Sequence, residues 1–232
     1  MKERYLKASE IIRNMEDAAR DQMEKEHPSV DELLDQNIAL MVNRFDLKVL
    51  KPIEDDANML SLTWPAPSDK ATLYRNNSIK VNGKYAAFSC SLWSFVNFKT
   101  RRIIKVKEVD LSKWTFKKYY ETFPGQKFQV TNEMLDDMDD VGQKHIDRDD
   151  LDDNGHMNNI KYAEMFEENV PELEAGTHYI SSFRLHFQKE AIYNDDLLIK
   201  RMKTEDGKYL FQTFKLNGER NVECEIQVKP IG

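Results

Sequence analysis

Between residues 5 and 26, Ala8, Ile11, Ile12, Met15, Ala18, Ala19 and Met23 recur at steps of three and four, the spacing of one face of an amphipathic helix. Pro28 ends that run, and Ser29 with Glu32 three positions later has the form of a capping box opening a short second helix. The period then drops to two. Phe45, Leu47 and Val49 alternate with charged residues, and a second run covers Met59 to Trp64. A third run ends at Asn82-Gly83, and a long one returns from Tyr85 to Phe98. Asn-Gly between alternating runs predicts a tight hairpin, so the first half reads as a helix followed by an antiparallel meander.

The second half repeats this order. Ile160, Ala163, Phe166 and Val170 space a helix that stops at Pro171, and Phe183, Leu185 and Phe187 alternate as a strand. Leu197 to Met202 follows, and turns at Asp206-Gly207 and Asn217-Gly218 punctuate two further strands. The halves share short strings: RFDLKVLKPI beside FRLHFQKEAI, and KVNGKY beside KLNGER. An internal duplication of about 100 residues is the economical reading. Between the halves, residues 107 to 142 mix Lys, Asp and Gly with few periodic apolar positions, as a linker or excursion would. A helix and a curved antiparallel sheet, present twice, give an α+β chain of two sheets each wrapping a helix. Neither unit alone hides all its apolar surface, so the two should pair.

Composition narrows the classes. Hydrophobic residues make up 40% and aromatics 10%, enough for a sizeable core, while 32% charged residues demand a well-solvated surface. Mean hydropathy is −0.70. The formal net charge of −7 argues against a nucleic-acid partner, because phosphate contacts need excess Lys and Arg. Two cysteines without a CxxC pair fit a reducing compartment. MKERYLKASE has no apolar signal core and no run reaches the length of a membrane span, so a cytoplasmic protein with no membrane partner is expected.

Chemistry concentrates in DRDDLDDNGHMNN, residues 147–159. Read as a calcium loop from Asp150, it places Asp152, Asn154 and Gly155 well, but Lys161 stands where a bidentate Glu is required. Zinc lacks a second His or Cys at ligand spacing around His156, so no metal is expected. There is no GxSxG, no cysteine near a histidine in sequence and no Gly-rich phosphate loop. The bland reading is an acidic turn capping a helix that starts near Asn158, for which Asp and Asn are good residues. Capping explains the asparagines and leaves the histidine unexplained. A catalytic reading uses the spacing: in extended chain Asp152, Asn154 and His156 fall at i, i+2 and i+4 on one side. The helix beyond them offers N–H groups and a positive pole to charge developing on a carbonyl oxygen.

LDDNGHMNNIKY, residues 151–162, resembles the D-x-N-x-H-x-N-N-x-x-Y motif of acyl-acyl carrier protein thioesterases, which are tandem hot-dog proteins. The resemblance extends to LMVNRFDLKVLKPI, LSLTWP and CSLWSFVNFKTRR in the first half, and so spans nearly the whole chain. It implies a catalytic glutamate on the following strand, and HFQKEA supplies Glu190, 34 residues after His156. Plant members carry a cysteine directly after this glutamate. Here Ala191 stands there, which removes a cysteine mechanism. The strand that members place before the first helix is missing or very short, and Pro52 occupies the position in the first repeat that Glu190 holds in the second. The implied division is an N-terminal hot-dog domain at 1–110 shaping the acyl pocket, a linker at 111–142 and a catalytic C-terminal hot-dog domain at 143–232.

The implied reaction releases a free fatty acid from acyl carrier protein and ends chain elongation, with no cofactor. His156 would move the proton. Asp152 would attack the carbonyl or orient His156 and a water, and the sequence leaves both open. Glu190 would be the second carboxylate, and Asn154 would hold the imidazole or the carbonyl. Tyr162 reads as packing. The Ile11, Ile12, Met15 and Met23 stripe reads as core that could also line a fatty chain. An acidic carrier protein would need a basic patch, for which residues 99–107 with Lys113, Lys117 and Lys118 are candidates beside the plainer reading of a solvated face. Coenzyme A thioesterase, hot-dog dehydratase and non-catalytic acyl-binding protein are the alternatives, and a fused pair fits either a monomer or a homodimer.

Overall fold

The computed structural model describes residues 4–66 and 71–231. Helices α1 (Ala8–Met23) and α2 (Val30–Asp35) precede strands β1 (Ile38–Val49), β2 (Met59–Ala66), β3 (Thr72–Val81), β4 (Lys84–Asn97) and β5 (Arg102–Ile104). After β6 (Asp139–His145) come α3 (Asn159–Glu167), α4 (Pro171–Glu174), β7 (His178–Phe187), β8 (Asp196–Lys203), β9 (Lys208–Lys215) and β10 (Arg220–Pro230). Chain contacts divide these into two units. Unit 1 holds Met1–Ile12, Val49–Asp55 and Gly125–Gly232, and unit 2 holds Arg13–Lys48 and Asp56–Pro124. The change between the two long stretches falls at Pro124 and Gly125, inside the segment read as a linker, and β6 begins inside that segment too.

In unit 2 the strand order is β2-β3-β4-β1, with β5 beside β4. Asn82 and Gly83 both take positive φ, 52° and 78°, as the turn of the β3–β4 hairpin requires. Ser29 accepts from the Glu32 N–H while the Glu32 carboxylate takes the Ser29 N–H, so the capping box that begins α2 forms as read. Leu33, Leu73, Phe95 and Trp114 share one buried cluster with Met23 of α1 against it. The Trp114 indole N–H donates to the Pro28 carbonyl at 3.0 Å, which keeps its polar edge satisfied.

In unit 1 the order is β7-β10-β9-β8-β6. The KLNGER string turns β9 into β10 as KVNGKY turns β3 into β4, so the shared strings mark corresponding hairpins. Helix α3 lays Phe166 on Phe211 of β9, ring centroids 5.1 Å apart, and sets Tyr162 edge-on to Phe187 of β7 at 5.6 Å. Each such buried ring contributes about 1.5–3 kcal/mol. Just before α1 the chain makes a short antiparallel bridge, Tyr5 with Glu54: Leu6 donates to the Ile53 carbonyl at 2.7 Å and Asp55 to the Arg4 carbonyl at 3.0 Å.

Candidate active site

The site lies in unit 1, where β6 gives way to α3. The acidic run is first of all a set of caps. Asp147 caps a short 3-10 turn over Arg148–Asp150 in a reciprocal box with Asp150. The Asp150 carboxylate also meets Lys144 Nζ at 2.8 Å, and this cation with the Asp147 N–H outweighs burial and holds its carboxyl below the usual range. Asn158 caps α3 by accepting from the Ile160 N–H at 2.8 Å. Among the described residues no cluster of His, Cys, Asp and Glu could hold a metal ion.

Asp152 to His156 is a closed turn, and this corrects the extended arrangement read from the spacing. The Asp152 N–H donates to the His156 carbonyl at 2.7 Å, the Gly155 N–H donates to the Asp152 carbonyl at 3.0 Å, and Gly155 takes φ +77°. The Asp152 carboxylate closes the turn from inside, Oδ1 accepting from the N–H groups of Asn154 at 2.8 Å and His156 at 3.1 Å. Asp152 therefore grips the backbone of His156. A short side chain that satisfies two backbone donors wins over an extended run that would leave them unpaired. Asn154 sits exposed at the tip of the turn and His156 is half-buried at its exit.

Glu190 lies three residues past the end of β7, in a bend, and the expectation of a strand position is corrected accordingly. The bend is firmly held. The N–H groups of Gln188 and Lys189 donate to the Asn221 carbonyl at 2.9 and 3.1 Å, and the Asn221 side-chain amide donates to the Lys189 carbonyl at 2.6 Å. The same amide donates to the Tyr162 hydroxyl at 3.0 Å, and Thr213 Oγ donates to Asn221 Oδ1 at 3.0 Å. Burial pushes the Tyr162 phenol well up, against the pull of its bonds to Asn221 and the Ala191 backbone. Beyond the bend, Met157 donates to the Ala191 carbonyl at 2.8 Å, and His156 pairs with Ile192 as an antiparallel bridge. The backbone segments that carry His156 and Glu190 therefore run side by side.

Part of the expected oxyanion apparatus is already occupied. The N–H groups of Met157, Asn158 and Ile160 donate to Ala191, Asp150 and Asn158 respectively. What α3 offers a developing negative charge is the positive end of its dipole. The cysteines are no nucleophiles: burial pushes the Cys90 thiol up to about 12 and holds the fully buried Cys224 thiol well above its ordinary value. Sequence reading overlooked the Tyr162–Asn221–Thr213 chain. Its signal was the final tyrosine of the motif, which faces the core one helical turn past the cap. Lys117 and Lys118 flank a shallow groove of about 280 Å³ in unit 2, shared with Leu62, Trp64 and Tyr120.

The acyl-ACP thioesterase N-terminal domain matches residues 2–113, and the acyl-ACP thioesterase C-terminal domain matches residues 134–230. The chain belongs to the acyl-ACP thioesterase family. Among solved structures it is similar to an acyl-ACP thioesterase from Bacteroides thetaiotaomicron, at TM-score 0.85 and 16% identity over 97% of this chain and 90% of that one. It is equally similar to the 12:0-ACP thioesterase of Umbellularia californica, at TM-score 0.85 and 18% identity over 98% and 91%. A MaoC-like dehydratase from Phytophthora capsici is less similar, at TM-score 0.56 and 11% identity over 82% and 72%. No curated protein matches the chain. The fold is the tandem hot dog, α+β, and no described helix is long and apolar enough to cross a membrane.

Proposed function

We propose that Asp152, Asn154, His156 and Glu190 carry out the reaction of this family member, a thioester hydrolase that releases free fatty acid from acyl-acyl carrier protein. One observation carries the assignment: the antiparallel contact of 156–157 with 191–192 sets the imidazole-bearing segment beside the carboxylate-bearing bend. His156 takes a proton from water or gives one to the leaving thiol. Glu190 holds the attacking water from the neighbouring segment. Asp152 spends Oδ1 on the turn that fixes His156, and this favours positioning over direct attack on the carbonyl. Asn154, at the tip, faces incoming substrate. The product acid and the carrier thiol account for every atom of the thioester and one water.

The test is turnover of a panel of carrier-protein thioesters, and of the matched coenzyme A thioesters, by wild type, His156→Ala and Glu190→Ala. Each substitution should lower kcat by roughly 10²–10⁴-fold with the melting temperature retained. Near-full activity in either variant removes that residue from the mechanism. Equal rates on the two thiol carriers would reassign the substrate to coenzyme A esters. Binding without turnover in wild type would favour the non-catalytic reading.

A further inference from the structure

A strand at the end of a sheet presents a row of backbone groups to its surroundings, and the two end strands of this chain treat that row differently. β6, last in the unit 1 order, places Asp139, Asp140, Lys144 and His145 within 7 residues and breaks its register between Asp140 and Gly142. Charges and a bulge are what keep an edge from pairing further. β2, last in the unit 2 order, has neither. Met59 to Ala66 contains no charged residue, and its pairing with β3 runs from end to end without a shift. Leu60 is 55% exposed and Leu62 is 36% exposed.

One bond shows which backbone groups of β2 look outward. The Pro65 carbonyl accepts from the Lys117 N–H at 3.1 Å, on the side away from β3. Backbone direction alternates along a strand, so Met59, Ser61 and Thr63 turn their N–H and C=O groups the same way. Among the described residues no other backbone group bonds to β2 on that side. Pro65, which has no N–H to give, stands where an edge strand tolerates proline. Side chains alternate too. Thr63 Oγ1 accepts from the Arg75 guanidinium at 3.0 Å, and the same guanidinium donates to Gln22 Oε1 of α1 at 2.8 Å. Leu60, Leu62 and Trp64 therefore stand on the face away from that helix, beside the shallow groove that Lys117, Lys118 and Tyr120 line.

Three outward residues spaced by two and centred on Ser61 complement a copy of themselves. We propose that the chain forms a symmetric dimer in which β2 pairs antiparallel with β2 of a second copy, the twofold axis passing at Ser61. Ser61 then faces the partner's Ser61, and Met59 and Thr63 face the partner's Thr63 and Met59. Each of these pairs exchanges two N–H···O=C bonds, so every outward group of both strands is satisfied. The same register sets Leu60 of each copy against the partner's Leu62, in the closer positions that carry no backbone bonds. Beyond Thr63 the Lys117 backbone closes the edge. The partner's chain leaves the ladder at that point, bringing the partner's Asp56 to the end that holds Lys117 and Lys118, and all three residues are exposed in the single chain. A foreign strand would meet the same backbone groups, but a second copy also matches the length of the free edge and returns a leucine to each leucine. The pairing does not depend on the hydrolase reading.

The experiment is sedimentation equilibrium of the full chain. At about 100 µM, where an association of micromolar strength is nearly complete, wild type should approach twice the 27.3 kDa of one chain. Ser61→Pro repeats the placement of Pro65, so the single chain tolerates it, while the dimer loses both central bonds. It should weaken association by at least about thirtyfold, since two carbonyls are also left unpaired. Leu60→Lys leaves the backbone alone and should weaken association by at least about tenfold, because each copy then buries a cation against the partner's Leu62. It gives the answer if Ser61→Pro does not fold. Oxidation reads the register: Leu60→Cys mixed with Leu62→Cys should form an interchain disulfide, the facing Cα atoms lying about 4.5 Å apart, and neither variant alone should match it. A monomeric wild type, or a dimer that survives either substitution in a folded chain, overturns the proposal. So does a disulfide that forms better in Leu60→Cys alone than in the mixture.

Discussion

Arg75 and Arg184 are both strand arginines, both nearly inaccessible, and they are treated in opposite ways. Arg184 of β7, in unit 1, meets the Glu225 carboxylate at 2.9 Å, with 3% and 2% of the two side chains exposed. It also donates to the Gln126 carbonyl at 3.1 Å and lies over the Phe128 ring at 4.4 Å. Glu225 in turn accepts from the Gln129 N–H at 2.7 Å. That ion pair therefore staples residues 126–129 onto the sheet, and its purpose is architectural. Arg75 of β3, in unit 2, has two neutral oxygens and an unpartnered nitrogen. Equal burial thus goes with an ion pair at Arg184 and with neutral acceptors alone at Arg75. Unit 1 also contains an unpartnered atom, Gln212 Oε1, but it belongs to a neutral amide whose nitrogen bonds to Gln188, Thr213 and Val222.

The sharpest way to break this contrast is to remove each arginine. Arg184→Met strands the Glu225 carboxylate in the interior and should cost about 3–5 kcal/mol, read as a fall in the urea midpoint. Arg75→Met strands no charge. Its stability should be unchanged or higher, because an apolar side chain replaces an uncompensated cation. Equal losses in the two variants would mean that Arg75 is as structural as Arg184.

Neither fate could be read from the strings FRLHF and YRNNS, because a strand pattern gives the face of a residue and not what stands across from it. What period and turn chemistry determine was legible: both long helices, the capping box at Ser29, and the hairpins at Asn82-Gly83 and Asn217-Gly218. The candidate site was legible only as a composition. Its geometry was not, because Asp152 closes a turn by bonding backbone N–H groups, and side-chain-to-backbone competition leaves no periodic trace. Glu190 came from family spacing alone, and its placement in a bend depends on Asn221, 31 positions further along the chain. The boundary at 124–125 was also hidden, since residues 126–130 are anchored by single long-range bonds and carry no apolar period.

A buried carboxylate in unit 1 sharpens the comparison next, because it is satisfied without a cation. Glu167, near the end of α3, accepts from the Ser9 N–H at 3.0 Å and from Ser9 Oγ at 2.7 Å, capping the start of α1 across 158 positions. Burial raises its pKa from 4.5 to about 7 in spite of those bonds and the field of Lys7. Between about pH 4.5 and 7 the folded chain thus keeps a proton that the unfolded chain has released. Stability should fall as pH rises through that window and level off above it, by up to about 3 kcal/mol. Glu167→Gln should flatten the dependence, measured as urea midpoints at pH 5 and pH 8. A slope that survives the substitution would place the titration elsewhere.

The smallest effect expected is also the most local, and it asks whether satisfied polar groups in unit 1 serve chemistry as well as architecture. Tyr162→Phe keeps the ring against Phe187 and removes only the oxygen that Asn221 and the Ala191 backbone share. Leaving those donors unpaired should cost about 1–3 kcal/mol of stability. If the bend at 188–191 aims Glu190, the aim matters more in the transition state than in substrate binding. kcat should then fall roughly tenfold while KM holds, a difference of about 1.4 kcal/mol in the barrier. Asn221→Ala removes the bonds to Tyr162 and to the Lys189 carbonyl together and should exceed the effect of Tyr162→Phe on kcat. A merely structural network would lower the melting temperature of both variants and leave the kcat of the folded fraction unchanged. A rise in KM at constant kcat would move the role of the bend from aiming a carboxylate to holding the substrate.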